Sequence, residues 1–159
     1  MPFVVYVDMV GDLFHAGHVS FLRKARELGA EHAAAGGMSE VRLVVGLMGD
    51  SAAAAYKRRP VQPLAQRIIV VEACRYVDDV VGDPPMPVTE VFLETHAVDL
   101  VVHGDDLSDE ELRHWYSAPI ARGRFAVVPY TSQVEGEPVS TSEIIRRVEG
   151  REPPPEPAR

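Results

Sequence analysis

The sequence predicts an α/β protein built as a three-layer sandwich around a five-stranded parallel sheet, and three observations carry that expectation. Apolar runs at Val4–Val7, Val41–Leu47, Val77–Val81, Val98–His103 and Phe125–Pro129 read as buried strands, and VRLVVGL is apolar almost throughout, as a strand covered on both faces must be. Segments of helical apolar spacing separate the runs, so successive strands are joined by right-handed crossovers and lie parallel. Polar, glycine-containing breaks follow the strands, placing a ligand edge at their carboxyl ends.

A length of 159 residues fits one domain, expected over residues 1–149, and GREPPPEPAR at the end is proline-rich and charged with no apolar spacing, so residues 150–159 are expected to be a disordered tail. No apolar run approaches the ~20 residues of a membrane helix, and the chain enters its first strand without a basic region and cleavage site. A soluble, cytoplasmic protein without membrane insertion is expected. The single cysteine, Cys74, lies in an apolar helical run and reads as a core residue. A net charge of −8 argues against a nucleic-acid partner, which needs a basic face.

In chain order, the first strand breaks near Gly11, two histidines stand three apart at His15 and His18, and a helix runs from about Gly17 to Gly29. Both imidazoles then sit at a helix N-terminus, where free N–H groups and the dipole favour an anion, and Gly17 has no Cβ to keep a phosphate off the backbone. Histidines so placed can donate hydrogen bonds to phosphoryl oxygens as charge builds on them. Helix-capping or metal-binding histidines are the alternative. Ala30–Glu40 reads as a loop or frayed helix end before the second strand.

Gly49–Arg67 reads as a polar connector holding the densest cations of the chain: Lys57, Arg58, Arg59 and Arg67. A helix over Pro63–Tyr76 leads to the short strand at Val77–Val81, GDPPMP is a turn, and Val88–His96 is a helix. Gly104-Asp105-Asp106 ends the next strand. Ser108 and Glu111 are spaced as a capping box for a helix over Asp109–Arg122, broken at Pro119, in which Trp115 and Tyr116 read as packing residues. After the last strand, Ser140-Thr141-Ser142 precede a helix over Glu143–Val148, another anion-binding layout.

These stretches resemble the nucleotidyltransferases with an H-x-G-H motif, and among them the cytidylyltransferases acting on phosphoethanolamine or glycerol 3-phosphate, over roughly residues 3 to 148. The resemblance rests on His15-Ala16-Gly17-His18, the cationic loop, Arg75-Tyr76-Val77-Asp78-Asp79-Val80, Gly104-Asp105-Asp106 and Val139-Ser140-Thr141-Ser142. It implies a Rossmann-like sandwich and transfer of CMP from CTP to a phosphorylated alcohol with loss of pyrophosphate. His15, His18 and Lys57 would then be catalytic. Val10, Gly11, Gly17, Gly104, Asp105, Asp106, Tyr130, Ser140, Thr141 and Ser142 would bind the nucleotide, and Asp50, Arg58 and Arg67 the acceptor. It further implies Mg²⁺ carried mainly on nucleotide phosphates, with no protein ligands assigned, and a homodimer with Arg75–Val80 at its interface.

The chain departs from the family pattern where R-T-x-G-[IV]-S-T-T is expected: Tyr130-Thr131 stands for the Arg-Thr pair, extra residues precede Ser140, and Pro138 replaces the glycine. Met9-Val10-Gly11-Asp12 likewise replaces G-x-[FY]-D. Either another cation replaces the one lost at Tyr130, with Arg58, Arg59, Arg122, Arg124 and Arg146 as the candidates, or the acceptor differs and Tyr130 shapes its pocket. A phosphonate acceptor, adenylyl transfer, and a nucleotide-binding regulator without catalysis are the alternatives.

Overall fold

The computed structural model describes residues 1–150, so residues 151–159, where most of the expected tail falls, lie outside the described residues. Strand β1 (Phe3–Met9) is followed by helix α1 (Ala16–Ala35), β2 (Val41–Leu47), α2 (Asp50–Tyr56), α3 (Leu64–Glu72), β3 (Asp79–Gly82), α4 (Glu90–Thr95) and β4 (Leu100–Gly104). Then come α5 (Asp109–Trp115), α6 (Ser117–Ala121), β5 (Phe125–Val128), the short pair β6 (Gln133–Val134) and β7 (Glu137–Pro138), and α7 (Thr141–Val148). β1 to β5 form one parallel sheet in the order β3-β2-β1-β4-β5. The strand order reverses between β1 and β4, and a crevice opens there at the carboxyl ends.

Side-chain alternation along β1 divides the core. Val5 and Val7 pack with Phe21, Leu22 and Ala25 of α1 and Val71 of α3 on one face, while Val4 and Tyr6 pack with Phe92 and Leu93 of α4 and with Tyr116 on the other. Burying each such side chain contributes about 1.5–3 kcal/mol. Two ion pairs fasten the edge of the sheet: Arg26 on α1 reaches Asp78, which also accepts the Leu43 N–H, and Arg42 reaches Asp79. Among the described residues no helix is long and apolar enough to cross a membrane.

The five strands lie where the apolar runs predict them, within a residue or two at the ends. Three local expectations change. α1 continues to Ala35 through the stretch read as a connector, because its alanines are strong helix formers and Gly36 ends it. The polar connector contains α2, whose alanine run is helical for the same reason. The helix expected over Asp109–Arg122 breaks at Tyr116, and Pro119 sits in the first turn of α6, where its missing N–H costs nothing. The β6–β7 hairpin was not foreseen. Its Glu135-Gly136 turn has both residues at positive φ, 52° and 83°, and only Gly136 advertises such a turn in sequence.

Gly29 shows how tightly α1 sits on β1, since a Cβ there would be driven into Cγ2 of Val5. Gly29→Ala is expected to lower stability by about 1–3 kcal/mol through overpacking. Urea unfolding should show a smaller cost for the same substitution in a Val5→Ala background; an equal cost would place the strain elsewhere.

Candidate active site

A cavity of about 670 Å³ opens at the switch point, lined from the ends of β1 and β4, the loop after α2, and the start of α7. His15 and His18 frame the start of α1. His15 is the N-cap, its Nδ1 accepting from the Gly17 N–H at 3.1 Å, and the His15 N–H donates back to His18 Nδ1 at 3.2 Å, closing a capping box made of two imidazoles. A backbone N–H can only donate, so each Nδ1 carries a lone pair and each Nε2 carries the proton.

His15 Nε2 lies 3.4 Å from Thr141 Oγ1, whose own proton goes to the Asp12 carbonyl at 3.0 Å. His18 lines the cavity, stacked 5.3 Å from Phe14 on one side and 3.9 Å from His15 on the other, by ring centroids. Burial pushes the His15 pKa down, and burial together with the neighbouring His15 pushes His18 down to about 3. At neutral pH the pair is two uncharged, oriented Nε2–H donors.

Around them the structure gathers an anion-favouring group. Lys57 and Arg58 line the cavity with Ser140, Thr141 and Ser142, and Arg58 Nη1 donates to Ser142 Oγ at 3.0 Å. Ser140 caps α7 by accepting the Glu143 N–H. The loop carrying these cations is fixed from below. Asp12, 3% exposed, accepts the N–H groups of Val61 and Gln62 at 2.8 and 2.9 Å, and Gln62 Oε1 accepts the Leu13 N–H.

Arg67 is the main correction to the expected site. It is fully buried and donates to the carbonyls of Gln62, Val10 and Met48 and to Asp50 Oδ1 at 2.7 Å. Neither it nor Asp50 lines the cavity. With four of its five N–H donors engaged and no surface exposed, this guanidinium cannot reach an acceptor phosphate, and the pair ties α2, α3 and the β1 and β2 ends together.

A second group lines the cavity from β1 and β4. Asp8 is buried, accepts from the Tyr116 hydroxyl at 2.6 Å through Oδ1, and has no partner for Oδ2 among the described residues. Burial raises the Asp8 pKa, opposed by that hydrogen bond and by His103. The Tyr116 pKa is pushed up, by burial first and then by Asp8, so its hydroxyl stays a donor. His103 packs on Tyr116 and lies 3.6 Å from Asp106, and Met86 and Trp115 supply apolar wall.

Val10, Gly11, Gly104, Asp106 and Tyr130 also line the cavity. Gly11 has φ +68°, and a Cβ there would meet Leu47 Cδ2 at 2.8 Å. The Tyr130 ring lies against Gly104 and its hydroxyl approaches Gly17, each within contact distance of where a Cβ would stand. Asp105 turns aside, accepting the Tyr130 N–H at 2.8 Å. Asp8, Asp12 and Tyr116 are the residues that sequence reasoning missed. An aspartate inside an otherwise apolar strand was the available signal for Asp8, since an ionisable group buried there needs a reason.

Among the described residues there is no group of three or more His, Cys, Asp or Glu side chains placed to hold a metal ion.

The profile of a family described as cytidylyltransferase-like matches residues 11–147. The chain is 39% identical over 152 residues to an ethanolamine-phosphate cytidylyltransferase of Arabidopsis thaliana, covering 91% of this chain and 32% of that protein. It is 35% identical over 153 residues to choline-phosphate cytidylyltransferase A of Homo sapiens, covering 92% and 36%. The chain thus spans about a third of the length of these curated relatives. The solved structure of a lipopolysaccharide core biosynthesis protein from Thermoplasma volcanium GSS1 matches with a TM-score of 0.61 at 20% identity, covering 84% of this chain and all of that one, a likeness of fold.

The lowered His18 pKa has a consequence for stability. The unfolded chain takes up a proton at this position near pH 6.5 and the folded chain does so only near pH 3. The contribution is therefore full above pH 6.5 and is lost as pH falls toward 3, at no more than about 1.4 kcal/mol per pH unit. His18→Asn keeps an acceptor for the His15 N–H but cannot titrate. Urea unfolding between pH 7 and pH 4 is expected to give a steeper decline for the native chain than for His18→Asn; parallel curves would refute the buried neutral imidazole.

Proposed function

The chain belongs to the cytidylyltransferase-like family, and we propose that it transfers CMP from CTP to a small phosphorylated amino alcohol of the phosphoethanolamine kind, with release of pyrophosphate. A phosphate oxygen of the acceptor attacks the α-phosphorus of CTP in line. The new P–O bond forms as the bond to the β-phosphate oxygen breaks, and pyrophosphate leaves with that electron pair. The attacking oxygen is already ionised, so the step needs no general base. The Nε2–H groups of His15 and His18 are poised to stabilise charge growing on the α-phosphoryl oxygens, and being neutral they act as directed dipoles. Lys57 neutralises phosphate charge, and Ser140 and Thr141 hold the triphosphate at the start of α7. Mg²⁺, when present, would supply further charge neutralisation on the nucleotide phosphates.

The observation that carries the choice of acceptor is Asp8. A buried carboxylate with an oxygen lacking a partner is costly unless a cation meets it, and a substrate ammonium group is such a cation. An acceptor with an amine at one end and a phosphate at the other answers both groups of the cavity: Asp8, Tyr116 and His103 at the amine, and His18 and Lys57 at the phosphate, with His15 adjoining the lining at Thr141. Glycerol 3-phosphate brings Asp8 only neutral hydroxyl donors and no compensating charge. An aminoalkyl phosphonate satisfies the same two groups and belongs in the acceptor panel.

The proposal includes a homodimer. Its support is an apolar groove formed by Phe14, Val19, Val70 and Cys74 beside Arg75 and Tyr76, next to Ile69, which is 67% exposed. Small symmetric dimers are the commonest assembly.

His15→Ala and His18→Ala are each expected to lower turnover by about 10²-fold or more in a pyrophosphate-release assay. Turnover near that of the native chain in either variant would sink the mechanism. Asp8→Asn should raise the acceptor KM about tenfold or more, leave the CTP KM within about threefold, and unfold at no lower denaturant, since a buried charge has been removed. An unchanged acceptor KM would remove the amine site. Light scattering at micromolar concentration should give the dimer mass; a monomer would refute the interface and leave the chemistry standing.

A further inference from the structure

We propose that Arg58 is the arginine that binds the β- and γ-phosphates of the nucleotide, on the triphosphate side of the cavity and away from the acceptor. The inference rests on the reading of the cavity as a nucleoside triphosphate site, and it begins from charge. Among the described residues, Lys57 and Arg58 are the only lysine and arginine that line the cavity, while Asp8, Asp12, Asp106 and Glu111 line it too. The two histidines are held neutral by burial. A triphosphate brings several negative charges into this already acidic surrounding. Lysine is a point charge suited to one phosphate, and a guanidinium fork can span two oxygens at once.

The other arginines near enough to be considered are committed elsewhere. Arg67 is buried in its carbonyl cage, Arg122 pairs with Glu90 and Glu94, and Arg124 donates to the Val98 carbonyl. Arg146 bonds Glu143, and Arg147 bonds Glu143 and approaches Glu137. Arg59 does not line the cavity.

Arg58 differs from most of these in its partner. It makes no ion pair with a carboxylate among the described residues, although the chain carries a net charge of −8, and its Nη1 rests on the neutral Ser142 hydroxyl at 3.0 Å. Ser142 stands in the first turn of α7, next to Thr141 and the capping Ser140. The guanidinium is thus parked beside the hydroxyls that hold the triphosphate. Its loop does not wander, because Asp12 fixes the Val61 and Gln62 amides and Arg67 holds the Gln62 carbonyl. This assignment departs from the expectation that Arg58 serves the acceptor, and it would supply the phosphate-binding arginine that Tyr130 cannot be.

Calorimetric titration of the full chain with CTP, CMP and inorganic tripolyphosphate tests the proposal without relying on turnover. Arg58→Ala is expected to weaken CTP and tripolyphosphate by about tenfold or more and CMP by less than about threefold, with Arg58→Lys recovering part of the loss. Arg58→Ala should unfold at the urea concentration of the native chain, since the hydrogen bond it gives up is one bond to an otherwise solvated Ser142 hydroxyl. Equal weakening of CMP and CTP, native-like tripolyphosphate binding by Arg58→Ala, or unfolding of Arg58→Ala at clearly lower urea would each overturn the assignment, the last by making Arg58 a strut for α7. A native chain that binds neither CTP nor tripolyphosphate would overturn it as well. If the native chain binds CTP but releases no pyrophosphate with any acceptor, the proposed function fails while the same titrations still decide for or against Arg58.

Discussion

The reciprocal hydrogen bonds between His15 and His18 are the constraint on which the site depends. Each imidazole spends its Nδ1 lone pair on a backbone N–H of the first turn of α1, so the bonds that start the helix also decide which ring nitrogen keeps the proton. Helix capping and placement of the phosphoryl donors are one structural event. Stacking of His18 between Phe14 and His15 fixes the ring plane, and burial keeps the ring uncharged. In the proposed mechanism such donors need little reorganisation on meeting a phosphoryl group.

Mounting the cations opposite those donors requires a polar loop to be held without regular structure. Asp12 and Arg67 do this from beneath, both largely or wholly removed from solvent, Asp12 spent on backbone amides and Arg67 on three carbonyls and the Asp50 carboxylate. A buried charge is tolerable when its hydrogen-bonding capacity is filled, and here the filling groups are carbonyls and amides that would otherwise lack partners in the loop. Asp12 and Arg67 answer the protein, while Lys57 and Arg58 face the cavity.

Asp8 inverts that logic. Its neighbours fill one oxygen and leave the other without a partner, so this part of the core is less stable than an apolar substitute would make it. Such local cost is characteristic of sites whose missing partner comes from outside the chain. The cavity thus joins a group that lacks a cation to a group that lacks an anion, and the proposed acceptor carries both.

What the sequence by itself determined about this protein is what short-range physics writes locally. Continuous apolar runs marked the strands, helical spacing placed the crossovers between them, and His15, Gly17, Ser108 with Glu111, and Ser140 announced helix starts that the structure contains. The spacing of His15 and His18 made them candidates because one helical turn relates them. Tertiary structure alone decided which charged residues face the cavity and which are consumed inside the protein. Asp8 meets Tyr116 across 108 positions, Arg58 meets Ser142 across 84, and Asp12 meets Gln62 across 50. Arg67 and Arg58, nine positions apart on one cationic stretch, take opposite fates because α3 turns the first inward under the sheet ends. Composition cannot carry that distinction, since a guanidinium satisfied by carbonyls and one left beside a hydroxyl are the same residue until the fold supplies their partners.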